Sequence, residues 1–452
     1  MNEATLQYVR QHSDDDVRML ALRGCKDADV DLPLALQQIQ GRQTARHKLP
    51  TWAANDGIMY PPHLNMEQCS SERTARYKAD LARRLLPLRP TNATDKRPHT
   101  DIPLPTTLID LTGGFGVDFA MMSEVFTQAI YVERNSQLYD ISSANLRILG
   151  RQNVETACAD GVEFLSRYTG HANMIFLDPA RRDDHGGRTY GIADCTPNVL
   201  HMRDELLAKA DVVVLKLSPM LDWCKAVSDL GPQQVQEVHI VSVGGECKEM
   251  LVVLSARPLV PTRLVCVNDA DIFEVSPLPS HPSTFTSSGL PFTVSGSPLA
   301  TDVSPLATDV SPLTSDATVA GSQLYPPYSE LTSPLYLYEP NASIMKAGCF
   351  AELSQRFGVA ALAPNSHLFV SHDFISDFPG RKFLLSTIST MNKRDLKEAL
   401  QGIAQANIAV RNFPISVAEL RRRLKLSEGG STYIFATTLA EGNRVLLIGS
   451  RL

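Results

Sequence analysis

The sequence predicts an α/β fold built on a largely parallel sheet. From 106 to 256, short apolar runs alternate with helix-length amphipathic segments, a spacing typical of βαβ units. The first run leads through a glycine turn, Asp110-Leu-Thr-Gly-Gly-Phe-Gly-Val-Asp118, into a predicted helix, and Glu133 ends the next run twenty residues after Gly113. A strand, a glycine turn and a helix form the entry unit of nucleotide-binding α/β folds.

Seven strands are predicted in this region. Helix-length segments separate the first five, whereas the last two are joined only by Gly244-Gly245, which predicts an antiparallel pair at one edge of the sheet. The helix after the glycine turn is expected to bury Phe119, Met122 and Phe126, at spacings of three and four. The predicted strands are Leu108–Leu111, Ile130–Glu133, Val154–Cys158, Met174–Asp178, Val212–Leu217, Glu237–Val243 and Met250–Leu254.

The flanking regions differ in composition from this core. Residues 1–105 are expected to be helical and polar and to end in a proline-rich linker, Pro87–Pro105. From Pro277 to about Pro327 the chain is rich in Ser, Thr and Pro, and Ser297-Pro-Leu-Ala-Thr-Asp-Val303 is repeated at once from Ser304. Proline at every seventh residue excludes a coiled coil, so this segment is expected to be a disordered insertion of about 277–327.

Beyond the insertion, two further small α+β regions are predicted. Arg263–Val267, Tyr336–Tyr338 and a helical stretch Ala342–Phe357 could form one of them, within 257–378. The other, 379–452, has strands Phe383–Ile388, Ile408–Val410, Tyr433–Thr437 and Val445–Ile448 and helices Lys393–Ala404 and Val417–Leu424. Ser416, three residues before Glu419, has the spacing of a capping box.

Composition and charge restrict the functional class. No run of eighteen apolar residues is present, so no membrane span is expected, and the first residues lack the features of a signal peptide. The eight cysteines are scattered without a Cys-x-x-Cys pair, which favours reduced thiols in a cytoplasmic protein and predicts no metal site. Residues 379–452 carry twelve basic and five acidic side chains, net +7, while the whole chain carries −6. A basic tail on an acidic body suggests a polyanion partner, although a small domain can carry such a charge without one.

Acidic residues follow several of the predicted strands. Asp110, Glu133, Asp160 and Asp178 each come at or just after a strand end, and open α/β sheets bind ligands at that edge. Asp178-Pro-Ala-Arg181 ends the fourth strand, and the segment from Arg182 to Asp194 is a candidate lid. An Asp-Pro turn without function is the alternative for the tetrapeptide. His185 could act as a base and Cys195 as a nucleophile, but a solvated histidine and an inert small apolar residue are the simpler interpretations.

With these motifs the chain resembles class I S-adenosylmethionine (SAM)-dependent methyltransferases. It is most similar to a bacterial group that carries a ferredoxin-like module and a C-terminal THUMP-like domain. The likeness extends to Glu67-Gln-Cys-Ser-Ser71, Thr74-Ala-Arg-Tyr-Lys78, Lys216-Leu-Ser-Pro-Met-Leu-Asp222, Glu246-Cys-Lys-Glu249 and Arg411-Asn-Phe-Pro414 with Gly429-Gly430. It implies a Rossmann-like seven-strand methyltransferase sheet at 106–256, preceded by the N-terminal helical region and followed by the two small α+β domains, the ferredoxin-like one at 257–378 and the THUMP-like one at 379–452.

The resemblance also implies roles for particular residues. The cofactor-binding set is Asp110, Thr112, Gly113, Gly114, Phe115, Gly116, Asp118, Glu133, Arg134, Asp160 and Gly161. The catalytic set is Asp178, Pro179, Ala180 and Arg181, at the position where amino-group methyltransferases orient a target amine. Glu67, Gln68, Ser70 and Ser71 are expected to close over the cofactor or substrate, or alternatively Ser70 or Ser71 simply caps a helix over Thr74–Arg84.

Two departures leave the substrate open. Ala180 replaces a proline and Arg181 replaces an aromatic residue of the amino-methyltransferase pattern; Arg181 could stack on a base or bind phosphate. Lys216 could face the pocket or the surface, and Arg421–Lys425 could bind RNA or form a solvated helix face. The sequence predicts a SAM-dependent methyltransferase acting on tRNA or rRNA, at a base nitrogen, with RNA held by the basic C-terminal domain. The alternatives are a small-molecule or protein methyltransferase, a non-catalytic RNA-binding protein, and a Rossmann-like enzyme with another nucleotide.

Overall fold

The computed structural model of the protein describes residues 1–86, 105–181, 191–256, 262–276 and 325–452. The chain divides into two compact units, Met1–Val265 and Cys266–Leu452. The expected linker at 87–104, the greater part of the candidate lid with His185, and the Ser/Thr/Pro insertion at 277–324 lie outside the described residues. In the described part of the chain, no helix combines the length and apolar character needed to cross a membrane.

The first unit begins with six helices, in the N-terminal region where the sequence predicts helical structure. Side chains of Asn2, Asp16, Asp31 and Ser71 accept hydrogen bonds from backbone N–H groups in the first turns of four of them. The helices are α1 (Glu3–Gln11), α2 (Val17–Arg23), α3 (Leu32–Lys48), α4 (Pro50–Ala53), α5 (His63–Gln68) and α6 (Glu72–Leu85).

The sheet of the first unit has the strand order β10-β8-β9-β7-β4-β1-β2-β3. The five strands β3, β2, β1, β4 and β7 are parallel, and β9 lies antiparallel between β7 and β8. The strands are β1 (Thr107–Asp110), β2 (Gln128–Glu133), β3 (Val154–Cys158), β4 (Ala172–Leu177), a short pair β5 (Ala180–Arg181) and β6 (Cys195–Thr196), β7 (Ala210–Leu217), β8 (Val235–Val243), β9 (Glu246–Leu254) and β10 (Arg263–Asn268).

This order confirms the predicted Rossmann-like sheet and the antiparallel pairing of β8 with β9. Five helices connect the strands, and the first buries Phe119 and Met122; Phe126 is also buried, just after a 3₁₀ turn at Ser123–Val125. These helices are α7 (Val117–Met122), α8 (Ser136–Ile148), α9 (Gly161–Arg167), α10 (Val199–Lys209) and α11 (Trp223–Leu230).

Two expectations about the edge of this sheet are wrong. The antiparallel pair does not end the sheet, because β10 adds beyond β8, where the Thr262 hydroxyl donates a 2.8 Å hydrogen bond to the Val235 carbonyl. The strand at Arg263 therefore pairs with β8 and not with the strand of Tyr336. Its four central residues are all buried, and the apolar pattern of a strand buried on both faces cannot say which neighbour it will have.

The second unit is a seven-stranded sheet of order β13-β14-β12-β15-β18-β17-β16. All neighbours in it are antiparallel except β16 and β17. Strand β11 (Asp271–Val275) also belongs to this unit but not to this sheet. The elements that follow it are β12 (Leu335–Pro340), α12 (Ala342–Ala347), α13 (Phe350–Phe357), β13 (Ala360–Ala361), β14 (Phe369–Ser371), β15 (Gly380–Thr390), α14 (Lys393–Ala399), β16 (Asn407–Arg411), α15 (Val417–Leu424), β17 (Thr432–Thr438) and β18 (Arg444–Arg451).

Two predicted helices of this unit are too long. Ala342–Phe357 is broken into α12 and α13, because Gly348 caps α12 in the left-handed conformation and its N–H returns to the Ile344 carbonyl. The other helix, α14, stops at Ala399 instead of Ala404. Helix α15 has the predicted bounds, and the Ser416 hydroxyl accepts the Glu419 N–H at 3.2 Å, which is the first half of the capping box. The Glu419 carboxylate itself pairs with Arg423 at 3.4 Å.

Candidate functional site

A cavity of about 1100 Å³ opens at the carboxyl ends of the parallel strands in the first unit. Its walls come from the glycine turn, the ends of β2, β4 and β7, the start of α9 and the end of α5. The predicted site residues that line it are Gln68, Ser70, Asp110, Thr112, Gly113, Gly114, Phe115, Gly116, Asp118, Glu133, Arg134, Asp160, Gly161, Asp178, Pro179 and Ala180. Glu67 and Ser71 are not among the lining residues, and the side chain of Arg181 lies outside the described part of the chain.

The glycine turn lies close against β2. The Gly113 N–H donates to the Val132 carbonyl at 2.8 Å, and the Tyr131 ring packs so near that a Cβ at Gly113 would overlap it. The Tyr131 hydroxyl and the Ser142 hydroxyl both donate to the Gly114 carbonyl. Gly113 is therefore needed because a side chain has no room, as the close packing of helix and strand in nucleotide-binding turns requires.

Glu133 fixes the turn and faces the cavity at the same time. One carboxylate oxygen accepts the Gly114 N–H at 2.8 Å and the other accepts the Asn135 N–H at 2.7 Å. The residue is 9% exposed. Each carboxylate oxygen can accept a second hydrogen bond, so Glu133 retains acceptor capacity toward a ligand.

Asp160 begins α9 and ends the third βα connection. Its Oδ1 accepts the Val162 N–H at 2.8 Å and so caps the helix. A Cβ at the following Gly161 would overlap the Leu111 carbonyl oxygen, so this pair holds the helix start against the glycine turn. Val162 is 40% exposed and also lines the cavity, which places an apolar surface beside the carboxylates.

Asp110 is a buried carboxyl at the base of the cavity. It is 1% exposed, and its Oδ1 accepts the Thr112 N–H at 2.9 Å. Burial raises the pKa of Asp110 to about 8, the Thr112 N–H opposes this shift, and the carboxylates of Asp118, Asp178 and Glu133 add to it. Among the described residues, none of those that contact Asp110 is a cation. A positively charged ligand group in the cavity could therefore pair with this carboxyl.

Asp178 forms an ion pair with Lys216 across the ends of β4 and β7. Lys216 Nζ lies 2.6 Å from Asp178 Oδ2 and 3.3 Å from Asp118 Oδ2. Burial lowers the pKa of Lys216, but the carboxylates of Asp178, Asp118 and Glu249 outweigh it and hold that pKa well above its ordinary value. The Asp178 side chain is 42% exposed, and its backbone N–H donates to Thr112 Oγ1 at 2.6 Å. Of the two readings of Lys216, the structure supports the one that faces the pocket.

A second lysine continues this network into the protein. Lys78 on α6 has a side chain that is 0% exposed, and its Nζ lies 2.5 Å from Glu249 Oε1 and 3.1 Å from Asp118 Oδ1. Ser70 donates to Asp118 Oδ2 at 2.7 Å. Asp118 therefore receives both lysines. The pKa of Asp118 is lowered because Lys78 and Lys216 outweigh the burial that would raise it, whereas burial raises the pKa of Glu249.

The two serines of the Glu67–Ser71 segment have different tasks. Ser71 is the N-cap of α6 and accepts the Thr74 N–H at 3.2 Å, whereas Ser70 points to Asp118. Gln68, at the end of α5, is exposed in the cavity wall. Glu67 is exposed, and its Oε1 lies 3.8 Å from His63 Nε2. Capping thus explains Ser71 but not Ser70 or Gln68.

The residues after Asp178 form one side of the cavity mouth. Ala180–Arg181 pairs with Cys195–Thr196 in a short antiparallel ladder, and the chain between them is outside the described residues except for its last four positions. Cys195 lines the cavity but is 2% exposed. None of the eight cysteines, all of which lie in the described residues, forms a disulfide.

Sequence reasoning assigned no role to Lys78 or Glu249. Both residues lie in segments that carry the family resemblance, Thr74–Lys78 and Glu246–Glu249, and the sequence around each one indicates an unusual charge. Lys78 occupies the buried face of α6 together with Thr74, Ala75 and Ala82, where the helical period calls for an apolar residue. Glu249 directly precedes the apolar run Met250–Leu254. A charge within a buried pattern indicates an internal partner or a functional site.

Comparison with known proteins supports the architecture. Residues 336–379 match a family described as a ferredoxin-like domain, and 380–451 match a THUMP-domain-like family. A crystal structure described as a candidate methyltransferase from Porphyromonas gingivalis W83 is 29% identical, with a TM-score of 0.74, and the match covers 99% of this chain and 97% of that one. Over its whole length the chain is thus similar to a methyltransferase-fold protein, and its C-terminal segments match ferredoxin-like and THUMP-domain-like families. The resemblance found in the sequence is thereby confirmed.

Two further solved structures are similar to part of the chain. An rRNA methylase from Streptococcus thermophilus is 12% identical, with a TM-score of 0.28, over 40% of this chain and 95% of its own. A candidate methyltransferase from Streptococcus mutans, in complex with SAH, is 13% identical, with a TM-score of 0.27, over 39% and 95%. At these TM-scores the two likenesses carry no argument. No curated protein matches the chain.

Proposed function

We propose that the protein is a SAM-dependent methyltransferase that acts on RNA. The observation that carries the proposal is the cavity at the carboxyl edge of the sheet, where the glycine turn, Glu133, Asp160 and Asp178 converge. Ligands of open α/β sheets bind in this crevice. The whole-length likeness to the Porphyromonas gingivalis protein supports the same reaction class.

The cavity has chemistry that suits each part of SAM. Asp110 would hold the methionine ammonium, Glu133 would accept hydrogen bonds from the ribose hydroxyls, and Leu138 and Val162 would contact the adenine. The buried, cation-free Asp110 carboxyl is the feature of this structure that fits the cofactor's ammonium. When bound, SAM supplies a methyl group on a sulfonium, and the protein then has to orient the acceptor and exclude water.

RNA is proposed as substrate because of the second unit. Its THUMP-domain-like sequence and the net +7 charge of 379–452 both favour a polyanion. The tetrapeptide Asp178-Pro-Ala-Arg181 predicts a base nitrogen as acceptor, and this stays a prediction. We also propose that Asp178 contacts the acceptor, because it is the most exposed carboxylate of the buried network.

Binding of the demethylated cofactor, S-adenosylhomocysteine (SAH), tests the first step. Calorimetry with the purified full-length protein should show one site. Val162→Asp should weaken binding about tenfold, because it replaces an exposed apolar contact with a carboxylate, the equivalent of about 1.4 kcal/mol. Leu22→Asp is the control, since Leu22 is exposed on α2 and does not line the cavity. A parent protein that binds no SAH would leave two alternatives, a non-catalytic RNA-binding protein and a Rossmann-like enzyme with another nucleotide.

Transfer to RNA is tested with the cellular substrate. RNA from a deletion strain should accept a deuterated methyl group from labelled SAM in the presence of the purified protein, and RNA from the parent strain should accept much less. Mass spectrometry of the nucleosides identifies the product. Label found in protein or in small molecules, with none in RNA, would favour the other two methyltransferase readings.

A further inference from the structure

The cavity is backed by a row of charges that alternate in sign. The order is Asp178, Lys216, Asp118, Lys78, Glu249, and successive charged atoms lie 2.6, 3.3, 3.1 and 2.5 Å apart. Five different elements supply them: the end of β4, β7, α7, α6 and β9. The row therefore depends on the tertiary fold and not on one local motif.

Stability alone does not account for this row. The side chains of Lys78, Glu249, Lys216 and Asp118 are 0, 3, 11 and 11% exposed. The free energy needed to desolvate so many charges is about as large as the free energy gained from their attraction. Apolar residues of the same volume often stabilise a protein core equally well or better. Only Asp178, at the cavity end, is substantially exposed. A buried ionic network that opens at a cleft is a candidate functional site.

The cavity end of the row offers one donor and one acceptor side by side. An ammonium has three N–H donors, and within the described residues Lys216 uses two of them, for Asp178 and Asp118. Asp178 Oδ2 accepts from Lys216, which leaves Oδ1 to accept from a substrate. A substrate atom placed here meets a fixed positive charge next to a carboxylate oxygen.

This pairing suits a hydroxyl better than an amine. An exocyclic amine attacks without first losing a proton, and its N–H groups need acceptors, so a neighbouring ammonium would oppose it. A hydroxyl oxygen can accept from the ammonium while its proton is donated to the carboxylate. The negative charge that develops on that oxygen is then stabilised by a preorganised cation.

The side chains that line the cavity also favour a hydroxyl over a base amine as the acceptor. Besides the exposed imidazole of His201, the aromatic lining residues within the described parts of the chain are Phe115 and Phe176, which are 4% and 1% exposed. Neither presents a ring face on which a flipped base could stack. A ribose hydroxyl is present at every nucleotide of RNA and needs no base-stacking surface.

We propose that the methyl acceptor is a ribose 2′-hydroxyl of RNA, held between the Lys216 ammonium and the Asp178 carboxylate. This inference rests on the proposed RNA methyltransferase function and changes its acceptor from a base nitrogen to a sugar oxygen. Lys216 and Asp178 are then catalytic residues. Lys78 and Glu249 are positioning residues, because they act through Asp118.

The reaction balances with these groups alone. The hydroxyl proton passes to Asp178 Oδ1 and from there to solvent, and a lone pair of the oxygen forms the new O–C bond. The C–S bond of the donor breaks, its electron pair stays on sulfur, and the positive sulfonium becomes a neutral thioether. One proton is released for each methyl group transferred.

The position of the label tests the acceptor directly. Deletion-strain RNA is methylated with the purified protein and radioactive SAM, and is then hydrolysed with alkali, which cannot cleave beside a 2′-O-methyl group. We expect the label in alkali-stable dinucleotides. Label in mononucleotides with a methylated base overturns the hydroxyl inference but leaves the proposed function intact. No label in RNA, with SAH bound normally, overturns both.

A lysine variant tests the mechanism independently of the product. Lys216→Met should bind SAH within threefold of the parent protein but lose about 10²-fold or more in transfer, in the range found when a transition-state charge loses a stabilising donor. Its residual rate should rise about tenfold per pH unit from pH 7 to 9, because without the neighbouring cation a carboxylate is too weak a base for the hydroxyl, which must then lose its proton to hydroxide.

The controls separate this role from a structural one. Lys225→Met, at an exposed lysine on α11, should keep the parental rate, and Lys216→Arg should restore part of the rate because it restores the cation. If Lys216→Met transfers methyl groups at the parental rate, or if its residual rate does not change with pH, Lys216 does not stabilise an oxyanion and the proposal fails.

Discussion

Asp110 shows how one buried side chain can link cofactor affinity to pH. Burial raises the pKa of Asp110 to about 8, so the carboxyl is mainly protonated at neutral pH in the free protein. The proposed ammonium partner favours the ionised form. Binding must therefore displace a proton whenever the pH lies below 8, and the affinity must rise with pH over that range.

This linkage gives a prediction for SAH binding. Between pH 6 and 7.5 the affinity of the parent protein should rise by up to about tenfold per pH unit, because each binding event releases close to one proton. Calorimetry in two buffers of different ionisation enthalpy measures that proton. Asp110→Asn should bind more weakly and with little dependence on pH. An affinity of the parent that stays constant from pH 6 to 7.5 would mean that Asp110 does not meet the ammonium.

The same residue affects the stability of the free protein, and the sign can be stated. The pKa of Asp110 is higher in the folded state than in the unfolded state, where it is about 3.9. The folded protein then binds the extra proton between about pH 4 and 8, so this contribution is fully present at low pH and is lost as the pH rises through 8. We expect Asp110→Asn to gain free energy of unfolding relative to the parent as the pH rises from 5 to 8, measured by urea denaturation at each pH.

Individual site residues could be predicted from the sequence only up to a point. The acids at 110, 133, 160 and 178 follow strand ends, and all four line the cavity. The sequence could not decide between Ser70 and Ser71 as helix cap, because both precede α6. Asp118 was predicted to bind the cofactor, and its ion pairs with two lysines depend on elements forty and ninety-eight residues away in sequence.

At the scale of secondary-structure elements, helix α6 connects the N-terminal region to the residues behind the cavity. Its outer end is fixed to β8 by Tyr77, which lies 2.7 Å from His239 Nδ1, and by Arg84, which donates to Glu237 at 2.9 Å. Its buried face brings Lys78 to Glu249 and Asp118. The N-terminal helices thus complete the charge row behind the cavity, although they precede the sheet in sequence.

The coupling of α6 to the sheet can be measured. Lys78→Met leaves two buried carboxylates short of a cation and should destabilise the protein by about 3–5 kcal/mol. Adding Glu249→Gln removes one of those charges, so the double variant should cost less than the sum of the two single variants, by about 0.5–3 kcal/mol. Urea denaturation of the four proteins gives the coupling energy.

A control on the same helix makes the comparison specific. Arg83→Met removes an exposed ion pair with Asp80 and should change the free energy of unfolding by less than about 1 kcal/mol. If Lys78→Met is as mild as Arg83→Met, the buried pair does not hold α6 in place.

Strand positions were predicted better than helix ends. Every predicted strand of the seven-strand sheet overlaps an observed one, because most of these strands are central, are buried on both faces and appear in the sequence as apolar runs. The helix at Ala342 was predicted too long because its apolar spacing continues past Gly348, and only the left-handed conformation of that glycine shows the break. The sequence also did not predict which strand pairs with Arg263–Asn268, because tertiary packing decides that pairing.

At the scale of the molecule, the two C-terminal family segments share one sheet. β12, from the ferredoxin-like segment, pairs with β15, from the THUMP-like segment, over six residue pairs, and Glu339 on β12 pairs with Arg411 of the THUMP-like segment at 2.6 Å. Two of the twelve basic residues counted in the sequence, Arg381 and Arg411, are thus engaged by one buried carboxylate. The charge free to meet RNA is smaller than the sequence count suggests.

The arginine run 421–423 is likewise only partly available. Arg421 donates to the Ala406 carbonyl at 3.1 Å, and Arg423 pairs with Glu419. Arg422 is exposed on α15, and Lys393 and Arg394 are exposed in the first turn of α14. Leu396 of α14 and Leu420 of α15 pack into one apolar cluster, so both helices cover the same face of the second sheet. We expect RNA phosphates to contact this face.

Reversing these three exposed charges tests the RNA anchor. The variant Lys393→Glu, Arg394→Glu, Arg422→Glu should bind deletion-strain RNA more weakly, and the slope of log affinity against log salt should become shallower by about 2–3, because each phosphate contact releases close to one counterion. SAH binding should be unchanged. The matched control reverses Arg18, Lys26 and Lys225, three exposed basic residues of the first unit that do not line the cavity, and so alters the net charge equally. If both triple variants lose the same affinity and slope, the RNA responds to the overall charge and not to a docking face on α14 and α15; if only the first does, the second unit is the anchor that presents RNA for methylation.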